Sequence, residues 1–195
     1  MPFKNTFDRF IKWLGYDLGL TPNQITVGRL FFFVPGWLMW VYKRELAEYT
    51  GASWHAFGWA ALVLVTTVII FDIVDGALAR ETGQVSQEGK ALDPAVDKLI
   101  TYSTLALFWG AISKTGFLVL LALDMVSTFL RSVEVRGANR FGKNKALCQN
   151  LSKFFFATAV LLAIRQLNLV GNLLIWSAVI LATISVGIRI LPARK

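Results

Sequence analysis

Apolar residues in this chain come in long runs separated by short charged clusters, not in the strict alternation of a half-buried strand. A helix needs ~20 apolar residues to cross a bilayer. Six stretches approach that length: about Gln24 to Tyr42, Phe57 to Arg80, Ala91 to Ile112, Gly116 to Arg136, Lys145 to Ile164 and Gly171 to Ile190. The first is opened by Thr21-Pro22-Asn23, where Thr21 suits a helix cap and Pro22 a first turn. Ahead of them, residues 1–19 place Phe3, Phe7, Phe10, Ile11 and Leu14 at roughly helical spacing, with Lys4, Asp8, Arg9 and Lys12 on the other side. This pattern predicts an amphipathic helix lying at a membrane surface, with Trp13 as an interfacial anchor. It does not read as a cleaved signal peptide, because no long apolar core follows the first charges. No linker, low-complexity stretch or repeat interrupts the chain. The expectation is one all-α polytopic membrane domain over 1–195, with six transmembrane helices and an N-terminal surface helix.

Composition agrees. Of 195 residues, 55% are hydrophobic and 16% charged, against about 45–50% and ~25% in soluble domains. One cysteine, Cys148, rules out an internal disulfide framework. The net charge of +8 fits either nucleic acid or anionic lipid. The charges fall between apolar runs rather than along one polar face, so lipid is expected and nucleic acid is not. With the N-terminus inside, the cytoplasmic segments hold Lys4, Arg9, Lys12, Arg80, Lys90, Arg136, Arg140, Lys143, Lys145, Arg194 and Lys195. The opposite side receives only Lys43, Arg44, Lys114 and Arg165. That asymmetry predicts both termini on the cytoplasmic side of the inner membrane.

Charged groups at the edge of apolar spans are costly and mark function. Asp72 and Asp75 are three apart at the end of the second span, and Asp93 and Asp97 four apart at the start of the third. Each pair therefore shares a helical face. A loop of about ten residues makes these two helices antiparallel neighbours, so the four carboxylates can converge. Like charges at such depth call for a cation, and oxygen-only donors favour Mg²⁺, Mn²⁺ or Ca²⁺ over zinc. Two such ions could clamp a pyrophosphate. The small residues Gly76 and Ala79 beside the acidic face would let a ligand approach the backbone. The plain alternative is a set of helix-end charges solvated at the interface. Two pairs at helical spacing on consecutive spans argue against it.

The pattern Asp72-x2-Asp75-Gly76-x2-Ala79-Arg80-x8-Gly89-x3-Asp93-x3-Asp97 is similar, at all eight positions, to the signature of the CDP-alcohol phosphatidyltransferase family. The resemblance implies attack by an alcohol hydroxyl on a CDP-linked lipid such as CDP-diacylglycerol, with CMP leaving and a phosphodiester forming. It further implies that Asp72, Asp75, Asp93 and Asp97 hold metal, as two Mg²⁺ or Mn²⁺ ions, and that Asp97 is the base for the acceptor hydroxyl. Gly76, Ala79 and Arg80 would line the CDP pocket together with Asp72, and Gly89 would allow close packing. A homodimer is also implied.

The acceptor is read from the remaining cations. Arg29 and Arg131 fall within apolar sequence, and Lys143 and Lys145 follow the fourth span. Together they suggest an acceptor that carries phosphate. Pro22-Asn23-x2-Thr26-x2-Arg29 and Gly142-Lys143-x-Lys145-x3-Gln149 resemble the phosphatidylglycerophosphate synthase branch, as do Asp124 and Arg131 in part. Leu123, Asp124 and Ala146 depart from that branch, which has Arg, Glu and Thr there. Glycerol-3-phosphate is the expected acceptor; another, such as inositol phosphate, stays open. Asp124 is otherwise expected to pair with a nearby arginine, and His55 to sit in a non-cytoplasmic loop. A divalent-cation transporter is the rival class, but no acidic residue lies deep in the first, fifth or sixth span. A scaffold that lost its chemistry would not be expected to keep all eight positions.

Overall fold

The computed structural model describes residues 2–82, 87–133 and 140–190, with side chains described for 7–72, 74, 76–79, 81, 94–130 and 140–190. Its described elements are helical: α1 (Pro2–Lys12), a wide π-type turn (Trp13–Asp17), α2 (Pro22–Val41), α3 (Lys43–Thr50), α4 (Trp54–Thr82), α5 (Gln87–Ala106), α6 (Lys114–Val133), α7 (Arg140–Leu161) and α8 (Gln166–Ile190). Two compact units, Met1–Ile100 and Thr101–Lys195, divide the chain within α5.

In the first unit, Thr21 starts α2 as the sequence predicts. Its hydroxyl accepts from the Gln24 amide at 3.3 Å, while Gln24 Oε1 accepts from the Thr21 amide at 2.9 Å. These reciprocal bonds satisfy donors that a bare helix start would leave open. Below that cap, Ile11, Leu14, Ile25, Val74 and Leu78 form one core cluster, with Phe7, Leu20 and Phe71 against it. The apolar side of α1 is thus packed on α2 and α4, while Asp8, Arg9 and Lys12 are exposed. Phe10 departs from the expected stripe: it is exposed and stacks on Trp13, with ring centroids 6.1 Å apart. A second cluster joins Phe33 on α2, Val68 on α4, and Val96 and Ile100 on α5. Gly36 lets α2 and α4 close, since a Cβ there would lie 2.9 Å from Leu64 Cβ.

In the second unit, Phe108, Leu120, Phe156, Ile175, Ala178 and Ala182 are among the buried residues. Phe156 stacks on Phe108 at 5.7 Å and leaves no room for a side chain at Gly171, whose Cβ would meet its ring at 2.8 Å. α5 stops at Ala106, short of the expected Ile112. Three-residue turns take over, with Leu107, Phe108 and Trp109 donating to Thr104, Leu105 and Ala106. Asn172 then holds the connection, accepting from the Ser113 amide at 2.6 Å and donating to the Ala111 carbonyl at 2.9 Å. α7 begins at Arg140 rather than Lys145, so Lys143 and Lys145 lie on a helix. α3 is a short helix where a loop was expected, and His55 lies in the first turn of α4, its amide donating to Ser53 Oγ at 3.3 Å.

Polarity is inverted relative to a protein in water. Phe31, Val63, Met125, Phe129, Leu173 and Ile180 are exposed, while Arg29, Asp124, Gln149, Ser152, Lys153 and Arg189 are buried. An apolar exterior of this extent belongs in hydrocarbon. Among the described residues, α2, the Trp54–Ala79 part of α4, and α8 are long and apolar enough to cross a bilayer. α5, α6 and α7 occupy the places of the third to fifth predicted spans but carry more charge, as in Asp93, Asp97 and Lys98 or Lys143, Lys145 and Lys153. Lys43 lies 4.6 Å from the Trp40 ring centre and Lys114 5.7 Å from that of Trp109, the pairing of cation and aromatic found at membrane surfaces. Burial holds the Lys43 ammonium below the usual lysine range, with Arg44 adding to the effect and Glu45 opposing it.

Candidate active site

Helix geometry sets the acidic positions in order. Positions 68, 72, 75 and 79 fall on one stripe of α4, and positions 89, 93, 96 and 100 on one stripe of α5. Val68 belongs to the same buried cluster as Phe33, Val96 and Ile100. The stripe of α4 that carries Asp72 one turn later therefore starts at that buried cluster. Asp72 and Asp97 are both exposed, and Gly76 and Ala79 are half-buried. Gly89 falls in the first turn of α5. Asp75 and Asp93 take their places on these helical stripes, but their side chains, like those of Arg80 and Arg131, lie outside the described residues.

Arg29 is drawn into this cluster. It sits on α2, two turns from the Thr21 cap, and its Nη1 donates to Asp72 Oδ1. The Arg29 side chain is 1% exposed and that of Asp72 49%. The guanidinium is thus fixed inside the first unit while the carboxylate it holds faces outward. Arginine is the cation suited to this position, because its planar fork keeps its charge when buried.

Among the described residues no group of three His, Cys, Asp or Glu side chains could hold a metal ion. Two of the four predicted ligands are not among them. The two that are, Asp72 and Asp97, offer exposed carboxylate oxygens, the hard donors that Mg²⁺ and Mn²⁺ take. This donor set fits a divalent ion.

The cations after α6 stand in the second unit. Lys143 is exposed. Lys145 is not: its Nζ is paired with Asp124 Oδ1, and its side chain is 15% exposed. Asp124 Oδ2 accepts from Tyr102 Oη at 2.8 Å and from Gln149 Nε2 at 3.2 Å. Among the described side chains, Lys145 is the cation paired with Asp124. Lys145 and Gln149 reach it together because they are four apart on α7. Sequence reasoning did not single out Tyr102, or the contact of Lys153 Nζ with Thr101 Oγ1 at 3.4 Å. Gln149 was visible only as part of a motif.

A sequence model of the CDP-alcohol phosphatidyltransferase family matches residues 19–184, which include all eight signature positions. The chain belongs to the CDP-alcohol phosphatidyltransferase family. Among curated proteins it is 42% identical over 105 residues to a cardiolipin synthase (CMP-forming) of Streptomyces coelicolor, covering 53% of this chain and 46% of that protein. It is 30% identical over 139 residues to an archaetidylinositol phosphate synthase of Pyrococcus horikoshii, covering 69% of this chain and 66% of that protein. It is 27% identical over 177 residues to a CDP-diacylglycerol–glycerol-3-phosphate 3-phosphatidyltransferase of Rickettsia typhi, covering 84% of this chain and 91% of that protein. The chain thus spans under half the length of the first of these relatives, about two thirds of the second and nearly all of the third.

Proposed function

We propose that this chain is a membrane phosphatidyltransferase that moves a phosphatidyl group from CDP-diacylglycerol to glycerol-3-phosphate, releasing CMP and forming phosphatidylglycerophosphate. The observation that carries this reading is the unbroken eight-position signature on α4 and α5, with Asp72 and Asp97 exposed. The match to the Rickettsia typhi enzyme along nearly its whole length supports the acceptor. The acceptor's hydroxyl oxygen bonds to the phosphorus of the diacylglyceryl phosphate. The bond from that phosphorus to CMP breaks, and the hydroxyl proton passes to Asp97. Asp72, Asp75, Asp93 and Asp97 would hold two Mg²⁺ or Mn²⁺ ions, which when bound neutralise the pyrophosphate and the departing CMP. Gly76, Ala79, Arg80 and Gly89 accommodate the CDP moiety, and Arg29, Arg131, Lys143 and Lys145 bind the acceptor's phosphate. For Arg29 the pairing with Asp72 adds a second duty, the orientation of a carboxylate.

In this reading α2, α4, α5, α6, α7 and α8 are the six spans of one domain, and α1 lies on the inner surface of the cytoplasmic membrane. Both termini face the cytoplasm, as the distribution of Lys and Arg supports. The acyl chains remain in hydrocarbon while the cytidine remains in water. The enzyme works as a homodimer. A second acceptor, inositol phosphate, is favoured by one observation, the similarity to the archaetidylinositol phosphate synthase of Pyrococcus horikoshii.

The test is CMP release by purified protein with CDP-diacylglycerol and Mg²⁺, offered glycerol-3-phosphate, inositol phosphate, serine or glycerol in separate reactions. Release that requires glycerol-3-phosphate is expected. Release with inositol phosphate instead would transfer the assignment to the second reading. Folded protein that releases no CMP with any acceptor would overturn the catalytic reading.

A further inference from the structure

Asp124 stands in the apolar middle of α6, with Leu120, Leu121 and Leu123 before it and Met125 and Val126 after it. It is 3% exposed. A carboxylate at such a place is expensive unless its charge and its lone pairs are met. Lys145 and Gln149 on α7, and Tyr102 on α5, are among the donors that meet them. The Thr128 hydroxyl also donates to the Asp124 carbonyl at 2.8 Å, one turn along α6. A hydrogen-bond network alone could have been built with a neutral side chain at much lower cost. What only the carboxylate supplies is a fixed charge for the Lys145 ammonium.

That ammonium otherwise has every reason to leave. Lysine is a point charge on a flexible four-carbon stem, and near the start of a helix such a stem can carry its charge out to water. Asp124 instead holds it inside the second unit, with one of its three protons committed. We propose that Asp124 is a positioning residue for acceptor binding: it fixes the Lys145 ammonium so that the two remaining protons meet the acceptor's phosphate in a preset geometry. The inference rests on the reading that Lys145 binds that phosphate. The ordering of a mobile side chain is then complete before the acceptor arrives.

The test uses the purified full chain with CDP-diacylglycerol, Mg²⁺ and varied glycerol-3-phosphate. Asp124→Asn keeps the shape and removes the charge. Its KM for glycerol-3-phosphate is expected to rise about tenfold, while KM for CDP-diacylglycerol and kcat stay within about twofold. Lys145→Ala raises the same KM, and in that background Asp124→Asn adds less than about twofold, because the residue acts through the lysine. Effects of the two substitutions that multiply in full would overturn the proposal. So would an equal rise in both KM values, the mark of a purely structural role, or a fall in the acceptor KM, the mark of a carboxylate that competes with the phosphate. Should Asp124→Asn not fold, Asp124→Glu keeps the charge and shifts it by one methylene. It is expected to raise the acceptor KM alone, and an unchanged KM would overturn the proposal. Lys145→Ala with an unchanged acceptor KM would remove the earlier reading of Lys145 itself, a result distinct from full multiplication on top of a raised one.

Discussion

Arg29–Asp72 in the first unit and Lys145–Asp124 in the second are both buried at one end, and they are mirror images in charge. In the first pair the cation is sealed, at 1% exposure, and the acid is open at 49%. In the second the acid is sealed, at 5%, and the cation is the more open partner at 15%. Each pair therefore presents the charge that its surroundings do not need. The first unit offers a carboxylate, the kind of group a divalent ion takes, and the second offers an ammonium, the kind a phosphate takes. An ion pair in an apolar fold is poor evidence of stability. Its asymmetry of exposure is better evidence of purpose.

The largest effect expected lies in the chemistry of the first unit. Asp97→Asn, which leaves the helix and the size of the side chain intact, should lower CMP release by roughly a thousandfold. Circular dichroism and thermal melting should show a folded protein. Activity near that of the unchanged chain would remove Asp97 from the role of base.

The next effect sharpens the contrast between the pairs. Asp72→Asn removes the carboxylate paired with a sealed guanidinium and should cost about 3 kcal/mol, whereas Arg29→Met leaves a carboxylate that water already reaches and should cost about 1 kcal/mol. In the second unit the order reverses. Lys145→Met removes the cation paired with the sealed Asp124 and should cost more than Asp124→Asn, by about 1–2 kcal/mol. Chemical unfolding of the four variants in the same detergent, with chelator present, measures all of these. Equal losses within each pair would abolish the comparison.

Packing comes third. Gly36→Ala and Gly171→Ala each place a methyl group within 3 Å of a neighbour, Leu64 Cβ in one case and the Phe156 ring in the other. Overpacking of this kind should cost about 1–3 kcal/mol, partly offset by the better helix propensity of alanine. Gly36→Ala spreads the helices that carry Arg29 and Asp72, so it should also reduce activity. Gly171→Ala should lower the melting temperature without that selectivity. Smallest is Thr21→Ala, which removes one cap and should cost about 1 kcal/mol in the same unfolding assay.

Much of this was legible in the order of residues. The helical class, the cap at Thr21 and the acidic stripes at 72–75 and 93–97 follow from spacing, because a helix repeats its faces whatever it packs against. The ends of helices were less readable. α5 ends at Ala106 because Asn172, far along the chain, supplies the polar groups that close the turn. No local pattern around Ile112 announces that. The cations were the least readable. Arg29 and Lys145 could be marked as unusual from their apolar surroundings, yet nothing local to either names its partner, 43 residues away in one case and 21 in the other. Tyr102 carried no signal at all, since an aromatic in an apolar helix is ordinary until its hydroxyl finds a carboxylate.

The Arg29–Asp72 pair also bears on how the chain is put into a membrane. α2 is the least apolar of the three described helices long and apolar enough to cross a bilayer. An arginine near the centre of a helix opposes insertion by about 2.5–3.5 kcal/mol. Synthesis proceeds from the N-terminus, so α2 leaves the ribosome before its counter-ion exists. The pairing with Asp72 forms only once α4 follows, so the two helices should settle in the bilayer together. A substitution at Asp72 should then be felt during biogenesis, as poorer insertion of α2.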